Sequence, residues 1–183
     1  MCTASSNPGP NAPLYDGCKN STQPEANVVA AYNAWRKAGF ASSQLVLGLP
    51  LYGYLSQSNA TSLRTRSNIL APVTVVADSG QIQFRDLISQ GALVRTISAN
   101  PKGLPSFVAG GGFDRHWDHC SSTPYLCSPS AGQVITYDDT GSLEMKAQLA
   151  RELGFLGANL FDVHGDTDQW DLVNSVRKGL GLS

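Results

Sequence analysis

The sequence predicts an α/β fold interrupted by an inserted α+β unit, and three observations carry that expectation. A helix-periodic stretch at 25–38 leads into a short, almost continuously apolar run, QLVLGLPLYG at 44–53. Apolar runs of that length that end in Pro and Gly suit strands covered on both faces of a parallel sheet. The middle of the chain then breaks into short, mixed segments. After Asp139 the earlier rhythm returns, with a helix at 142–153, a strand at 157–163 and a helix at 169–179. The expected segmentation is therefore 1–57, an α+β insertion at 58–137, and 138–183.

Each element has its own warrant. Residues 1–24 are turn chemistry (NPGPNAP, YDG, KNST) without periodicity. In the first helix Val28, Ala31, Tyr32 and Trp35 fall on one face, and Gly39 is the stop. Residues 54–68, YLSQSNATSLRTRSN, are polar and end the run. APVTVVADSG reads as a strand entering a turn, and QIQFRDLISQGAL as a short amphipathic helix halted by Gly91. FVAGGGFDRHWDHCSSTPYLCSPSAGQVITYDD mixes short strands and loops. On the helix at 142–153, Leu143, Met145, Ala147, Leu149, Ala150 and Leu153 form a broad apolar arc, and Lys146 falls inside it. A lysine there either snorkels outward or meets a carboxylate. We predict the carboxylate, with Asp138, Asp139 and Asp162 as the nearby candidates.

Composition excludes some functions. The chain has 183 residues, is 42% hydrophobic, and carries 18 Gly and 10 Pro, which is globular and loop-rich. A net charge of −1 offers no basic field for nucleic acid. No apolar run reaches the ~18 residues that span a bilayer. Cys2, Cys18, Cys120 and Cys127 lie in Pro/Ser/Asn-rich loops, where disulfides sit in secreted proteins. They allow three pairings, of which local Cys2–Cys18 and Cys120–Cys127 are the simplest. Asn20 and Asn59 open glycosylation sequons. The opening MCTASSNPGPN has no basic or apolar stretch, so a secreted parent is expected without an export signal at this start.

Three candidate sites compete. His116, His119, Cys120 and Cys127 could offer nitrogen and sulfur to zinc, though their spacing fits no standard finger and paired thiols in a secreted chain oxidise. Asp138, Asp139, Asp162, Asp166, Asp168 and Asp171 crowd one helix and one strand in a chain only 15% charged. For Asp166, Asp168 and Asp171 the ordinary reading is helix capping and first-turn charge. Tyr52 and Tyr54 flank Gly53 at a strand end, where aromatic faces could stack on a ligand.

These residues carry a resemblance. LVLGLPLYG is similar to the seventh barrel strand of family 18 glycoside hydrolases, usually G-x-P-x-Y-G-R. ITYDDTGSLEMKAQLARELGFLGANLFDVHGDTD resembles that family's Y-D-D-x-x-S-x-x-x-K helix, eighth strand and acidic turn. GPNAPLYDGCK, FRDLISQGALV and FDRHWDHCSSTPYLC resemble fungal chitinase sequences between the sixth and eighth strands. The resemblance implies the C-terminal portion of a (β/α)8 TIM barrel with an α+β insertion domain. It also implies chitin or a related N-acetylglucosamine polysaccharide as partner, no cofactor and no metal. On that reading Tyr52, Tyr54, Phe161 and Asp162 are the substrate-binding candidates. Phe161 stands where the family usually has Trp, and Tyr54 where it often has Arg.

The family's acid is the Glu of a D-x-x-D-x-D-x-E segment on the fourth strand, with the substrate's own acetamido group as nucleophile, an exception to the two-carboxylate scheme. The glutamates here are Glu25, Glu144 and Glu152, and none ends such a run. The chain alone is expected not to hydrolyse, the missing N-terminal barrel portion being its implied partner. Rival readings are a non-catalytic glycan-binding module and a small secreted disulfide or zinc-binding interaction protein.

Overall fold

The computed structural model describes residues 8–57, 80–96 and 103–182. The expected strand at 71–80 therefore lies outside the described residues but for Gly80, as do Cys2 and Asn59. Helix α1 (Val28–Lys37) begins three residues later than the periodicity suggests, because Asn27 is its cap and accepts from the Ala30 amide at 2.9 Å. Gly39 adopts φ 99°, which closes the helix as expected.

β1 (Val46–Pro50) follows and pairs in parallel with β9 (Gly157–Phe161), Leu47 opposite Ala158 and Leu49 opposite Leu160. These residues point to the core, while Val46, Gly48, Asn159 and Phe161 line the opposite, exposed face. Leu51 turns the chain between sheets: its amide donates to the Phe161 carbonyl at 3.0 Å and its carbonyl accepts from Phe84 at 3.1 Å.

A five-stranded sheet in the order β3-β2-β8-β7-β6 makes up most of the middle of the chain. Its strands are β2 (Tyr52–Gln57), β3 (Gly80–Gln83), β6 (Asp114–Asp118), β7 (Thr123–Ser128) and β8 (Gln133–Thr136). Residues 54–57, polar in sequence, continue β2 because β8 pairs with them antiparallel, Tyr54 opposite Thr136. Helix α2 (Phe84–Ser89) and the antiparallel pair β4 (Leu93–Thr96) and β5 (Ser106–Ala109) pack beneath, with Phe84 edge-on to Phe107 at 4.9 Å. Among the described residues the two parallel strands form no closed barrel.

Helix α3 (Thr140–Glu152) packs along α4 (Asp171–Gly179). They approach so closely that a Cβ at Gly179 would meet the Glu144 carbonyl at 2.4 Å. The buried stripe of α3 is Leu143, Lys146, Ala147 and Ala150, narrower than the expected arc. Met145 is 40% exposed, since α4 covers only the Ala147 side. The expected strand at 157–163 stops at Phe161, and Val163–Gly165 form a 3-10 turn.

The cysteines correct the local pairing. Cys18 is bridged to Cys120, 102 residues away, with Cα atoms 5.1 Å apart. Neither Cys2–Cys18 nor Cys120–Cys127 therefore forms. The reason lies in the backbone: loop 14–17 runs along the turn after β6, Leu14 donating to Ser121 and Gly17 to Cys120. Cys127 is buried on β7. Bridging of Cys120 also dismantles the zinc reading, and among the described residues no three His, Cys, Asp or Glu side chains converge on a metal.

Candidate functional site

The acidic residues around α3 and β9 have structural work to do. Asp139 caps α3, accepting from the Ser142 amide at 3.0 Å, and its other oxygen pairs with Arg115 at 2.6 Å. Trp170, the residue before α4, has φ 59° and no capping side chain. Asp166 supplies the cap from four residues earlier, accepting from Thr167, Leu172 and Val173 amides at 2.7, 2.9 and 2.9 Å. Burial raises its carboxyl above the ordinary value despite those donors. Asp168 pairs with Arg85, and Asp171 takes a bidentate grip from Arg95 at 2.8 and 2.9 Å. Asp162 accepts from the His164 amide at 2.9 Å and starts the 3-10 turn. The charge gathering thus reads as caps and ion pairs.

Lys146 meets Asp138, and both side chains are 0% exposed. Ser142 Oγ donates to the same Asp138 oxygen at 2.7 Å. Burial pushes the Asp138 carboxyl up, and the ammonium and hydroxyl pull it back. Beside it, burial and the charges of Asp139 and Asp138 raise the Tyr137 phenol well above its ordinary 10.0, with Arg115 opposing.

An aromatic surface sits at the C-terminal ends of the parallel strands. That is where α/β sheets and barrels carry their ligands. Tyr52 lies edge-on to Tyr54 at 5.7 Å and to Phe161 at 6.4 Å. Phe161 is 62% and Tyr54 46% exposed, so their faces are available, while Tyr52 is half-buried between them. Gly53 makes the arrangement possible: a Cβ there would stand 2.2 Å from the Thr136 carbonyl and 2.8 Å from Tyr137 Cβ. The backbone of β8 thus presses against the step between the two tyrosines. Burial, then the neighbouring Tyr54, raises the Tyr52 phenol, which keeps it a neutral hydrogen-bonding group.

The structure therefore brings Tyr52, Tyr54 and Phe161 together, with Asp162 next to Phe161 and engaged in its turn. Asn20 is exposed on the N-terminal loop. The glutamates are elsewhere: Glu25 is exposed ahead of α1, Glu144 pairs with Lys178 at 2.8 Å, and Glu152 accepts from Gln148 at 2.9 Å. Sequence reasoning missed Asn11, which lies under Tyr52. The stretch that holds it, NPGPNAP, signals a turn and nothing more.

Comparison with known proteins gives the surroundings of this surface. The description "Glycosyl hydrolases family 18" matches residues 1–166. A chitinase-like effector of Moniliophthora roreri is 29% identical over 200 residues, covering 95% of this chain and 46% of that protein. Chitinase ChiA of Flavobacterium johnsoniae is 26% identical over 180 residues, covering 86% of this chain and 11% of that one. Among solved structures, a chitinase of Rhizomucor miehei superposes with TM-score 0.64 at 27% identity, over 96% of this chain and 49% of that one. Human YKL-39, described as a pseudo-chitinase with retained chitooligosaccharide binding, superposes with TM-score 0.70 at 22% identity, over 95% of this chain and 45% of that one. The chain spans a little under half the length of the two Moniliophthora effectors it matches.

Proposed function

The chain belongs to glycosyl hydrolases family 18, and from that premise we propose that it supplies the C-terminal portion of a chitinase-like (β/α)8 barrel. Its strands β1 and β9 would be the seventh and eighth of the barrel, and the five-stranded sheet with β4 and β5 the inserted wall of the cleft. The ligand is a β-1,4-linked N-acetylglucosamine polymer. The observation that carries this is the meeting of Tyr52, Tyr54 and Phe161 at the strand ends, because sugar rings present C–H faces that stack on exposed aromatic faces.

Binding and cleavage separate in this proposal. Substrate-assisted hydrolysis belongs to the intact barrel, whose protonating glutamate would come from the fourth strand. The chain alone binds and does not hydrolyse, since none of its glutamates lies at the aromatic surface: Glu25 is in the exposed loop ahead of α1, Glu144 pairs with Lys178 and Glu152 bonds Gln148 on the surface of α3. The open face of β1 and β9, and the groove of about 440 Å³ between α1 and β1 lined by Ala31, Trp35, Phe40 and Val46, are covered by the remaining strand–helix units. The Cys18–Cys120 bridge supports a secreted, oxidising setting for the parent, with Asn20 as an accessible glycosylation site.

A second reading has one observation in its favour. In the five-stranded sheet every residue of β7 is buried, and Tyr125, Cys127 and Val134 form a small core apart from the one shared with β1 and α3, which suits a non-catalytic glycan-binding module. Titration of the purified chain with tetra-N-acetylchitotetraose, alongside release of a chromophoric aglycone, tests both readings. Binding without release is expected; release above a mock preparation sinks the division of labour, and absence of binding sinks the sugar site. A D-x-x-D-x-D-x-E segment in the reading frame ahead of Met1 decides between barrel portion and module.

A further inference from the structure

We propose that Asn11 is the positioning residue of the aromatic surface, its amide fastening Tyr52 to the buried Asp138–Lys146 pair. The inference rests on the sugar-binding reading of Tyr52 given above and adds the device that sets the ring.

The geometry begins where a ladder ends. β2 and β8 are paired from Tyr54 opposite Thr136 onward. Two residues further along this antiparallel register, Tyr52 comes opposite Asp138. By then the second chain is leaving the sheet, because Asp139 caps α3. Asn11 bridges the divergence: its Nδ2 donates to the Tyr52 carbonyl at 3.0 Å and to Asp138 Oδ2 at 3.4 Å. An amide NH₂ has two hydrogens, so both bonds are available at once. Both neighbours are acceptors, which fixes the amide's orientation, since the flipped form would set oxygen against a carboxylate.

The anchor is rigid at its far end. Asp138 Oδ1 is held by Lys146 and Ser142, both on α3. Asn11 itself is only 7% exposed although it belongs to no helix or strand. Its loop is pinned just downstream, by Leu14 on Ser121 and by the Cys18–Cys120 bridge. A line of hydrogen bonds therefore runs from α3 through Asp138 and Asn11 to the first residue of β2. Tyr54 and Phe161 lean edge-on against the ring that this residue carries. Loss of the Asn11 donor frees the Tyr52 carbonyl at the point where β8 no longer holds it.

Aromatic NMR spectra of the whole chain provide the test. In Asn11→Leu, which keeps bulk and removes the donor, the ring signals of Tyr52, Tyr54 and Phe161 should move together. In Ile135→Val, a mild core change on β8 outside this line, they should stay in place. Affinity for tetra-N-acetylchitotetraose should fall about five- to tenfold in Asn11→Leu, the scale of one hydrogen bond. If Asn11→Leu does not fold, Asn11→Gln is read the same way, since its amide is displaced by one methylene. Unmoved Tyr52 signals in the folded variant overturn the inference, as does affinity within twofold of the unmodified chain despite moved rings. If the unmodified chain binds no sugar, the proposed ligand fails, while the ring signals still decide the role of Asn11.

Discussion

Strands β1 and β7 invert the usual link between hydrophobicity and burial. β1 reads VLGLP and alternates between buried and exposed, with Val46 50% exposed. β7 reads TPYLCS, is the more polar of the two, and is buried throughout. The difference lies in neighbours. β7 is flanked by β6 and β8 on its two sides, whereas among the described residues β1 pairs with β9 alone. Parallel strands are stable when both faces are covered, and here the Leu47–Leu49 face is covered and the Val46 face is not. Composition states what a strand needs, and the count of layers states what it has received.

The comparison can be broken first at the joint between the two regions. Asp138 follows the last strand of the five-stranded sheet, and Lys146 sits on the helix that backs β1 and β9. Lys146→Met leaves a buried carboxylate without its partner and should cost about 3–5 kcal/mol. Lys178→Met, which removes a partly exposed partner of Glu144, should cost at most about 1 kcal/mol. Denaturant unfolding of the two variants gives both numbers. Equal losses would mean that the buried pair is no anchor.

Next come the strands themselves. Leu126→Ala on β7 empties a fully buried site and should lose about 2–5 kcal/mol in the same assay. A loss below about 1 kcal/mol would show that the five-stranded region is not the stable one.

Alkali should attack the same region through Tyr137, which directly follows β8. Its folded phenol ionises above the unfolded value of 10.0, so its stabilisation is complete below that pH and is lost as pH rises beyond it. Phenolate absorbance should therefore show one of the six tyrosines ionising only as the fold is lost. Tyr137→Phe should carry the fold to higher pH, and an unchanged alkaline midpoint would count against this. The smallest effect is expected on the open face: Val46→Thr should stay within about 0.5 kcal/mol. A loss matching that of Leu126→Ala would erase the contrast between β1 and β7.

Local signals in the sequence were reliable where the structure is local. α1, α3 and α4 follow their periodicities, β1 and β9 form at their apolar runs, although only one face of β1 is covered among the described residues, and Gly39 and Gly91 stop helices with φ 99° and 76°. Lys146 was legible because a charge inside an apolar stripe needs a partner. Apart from element ends, such as the start of α1 and the end of β9, the misses are non-local. YLSQ at 54–57 becomes strand through β8, Met145 is exposed because α4 covers another side, and Cys18 finds Cys120 through a loop laid along a distant turn. At the candidate site Tyr52 and Tyr54 were visible from their place at a strand end, and Phe161 only through the family resemblance. Asn11 was not, since a turn-forming Asn looks alike whether it faces water or a buried carboxylate.

The Cys18–Cys120 bond joins positions 102 residues apart, so the backbone between them is a covalent ring. In the chain-entropy account a ring of that order restrains the unfolded chain by about 4–5 kcal/mol. Strands β1 through β6 lie inside it; β7, β8, β9 and the last two helices lie outside. Both the parallel pair and the five-stranded sheet are thus stitched across the ring's boundary. A protease that cuts any single bond within the ring opens the circle without releasing a fragment. The nicked molecule keeps its mass on a non-reducing gel and divides in two only when the disulfide is reduced.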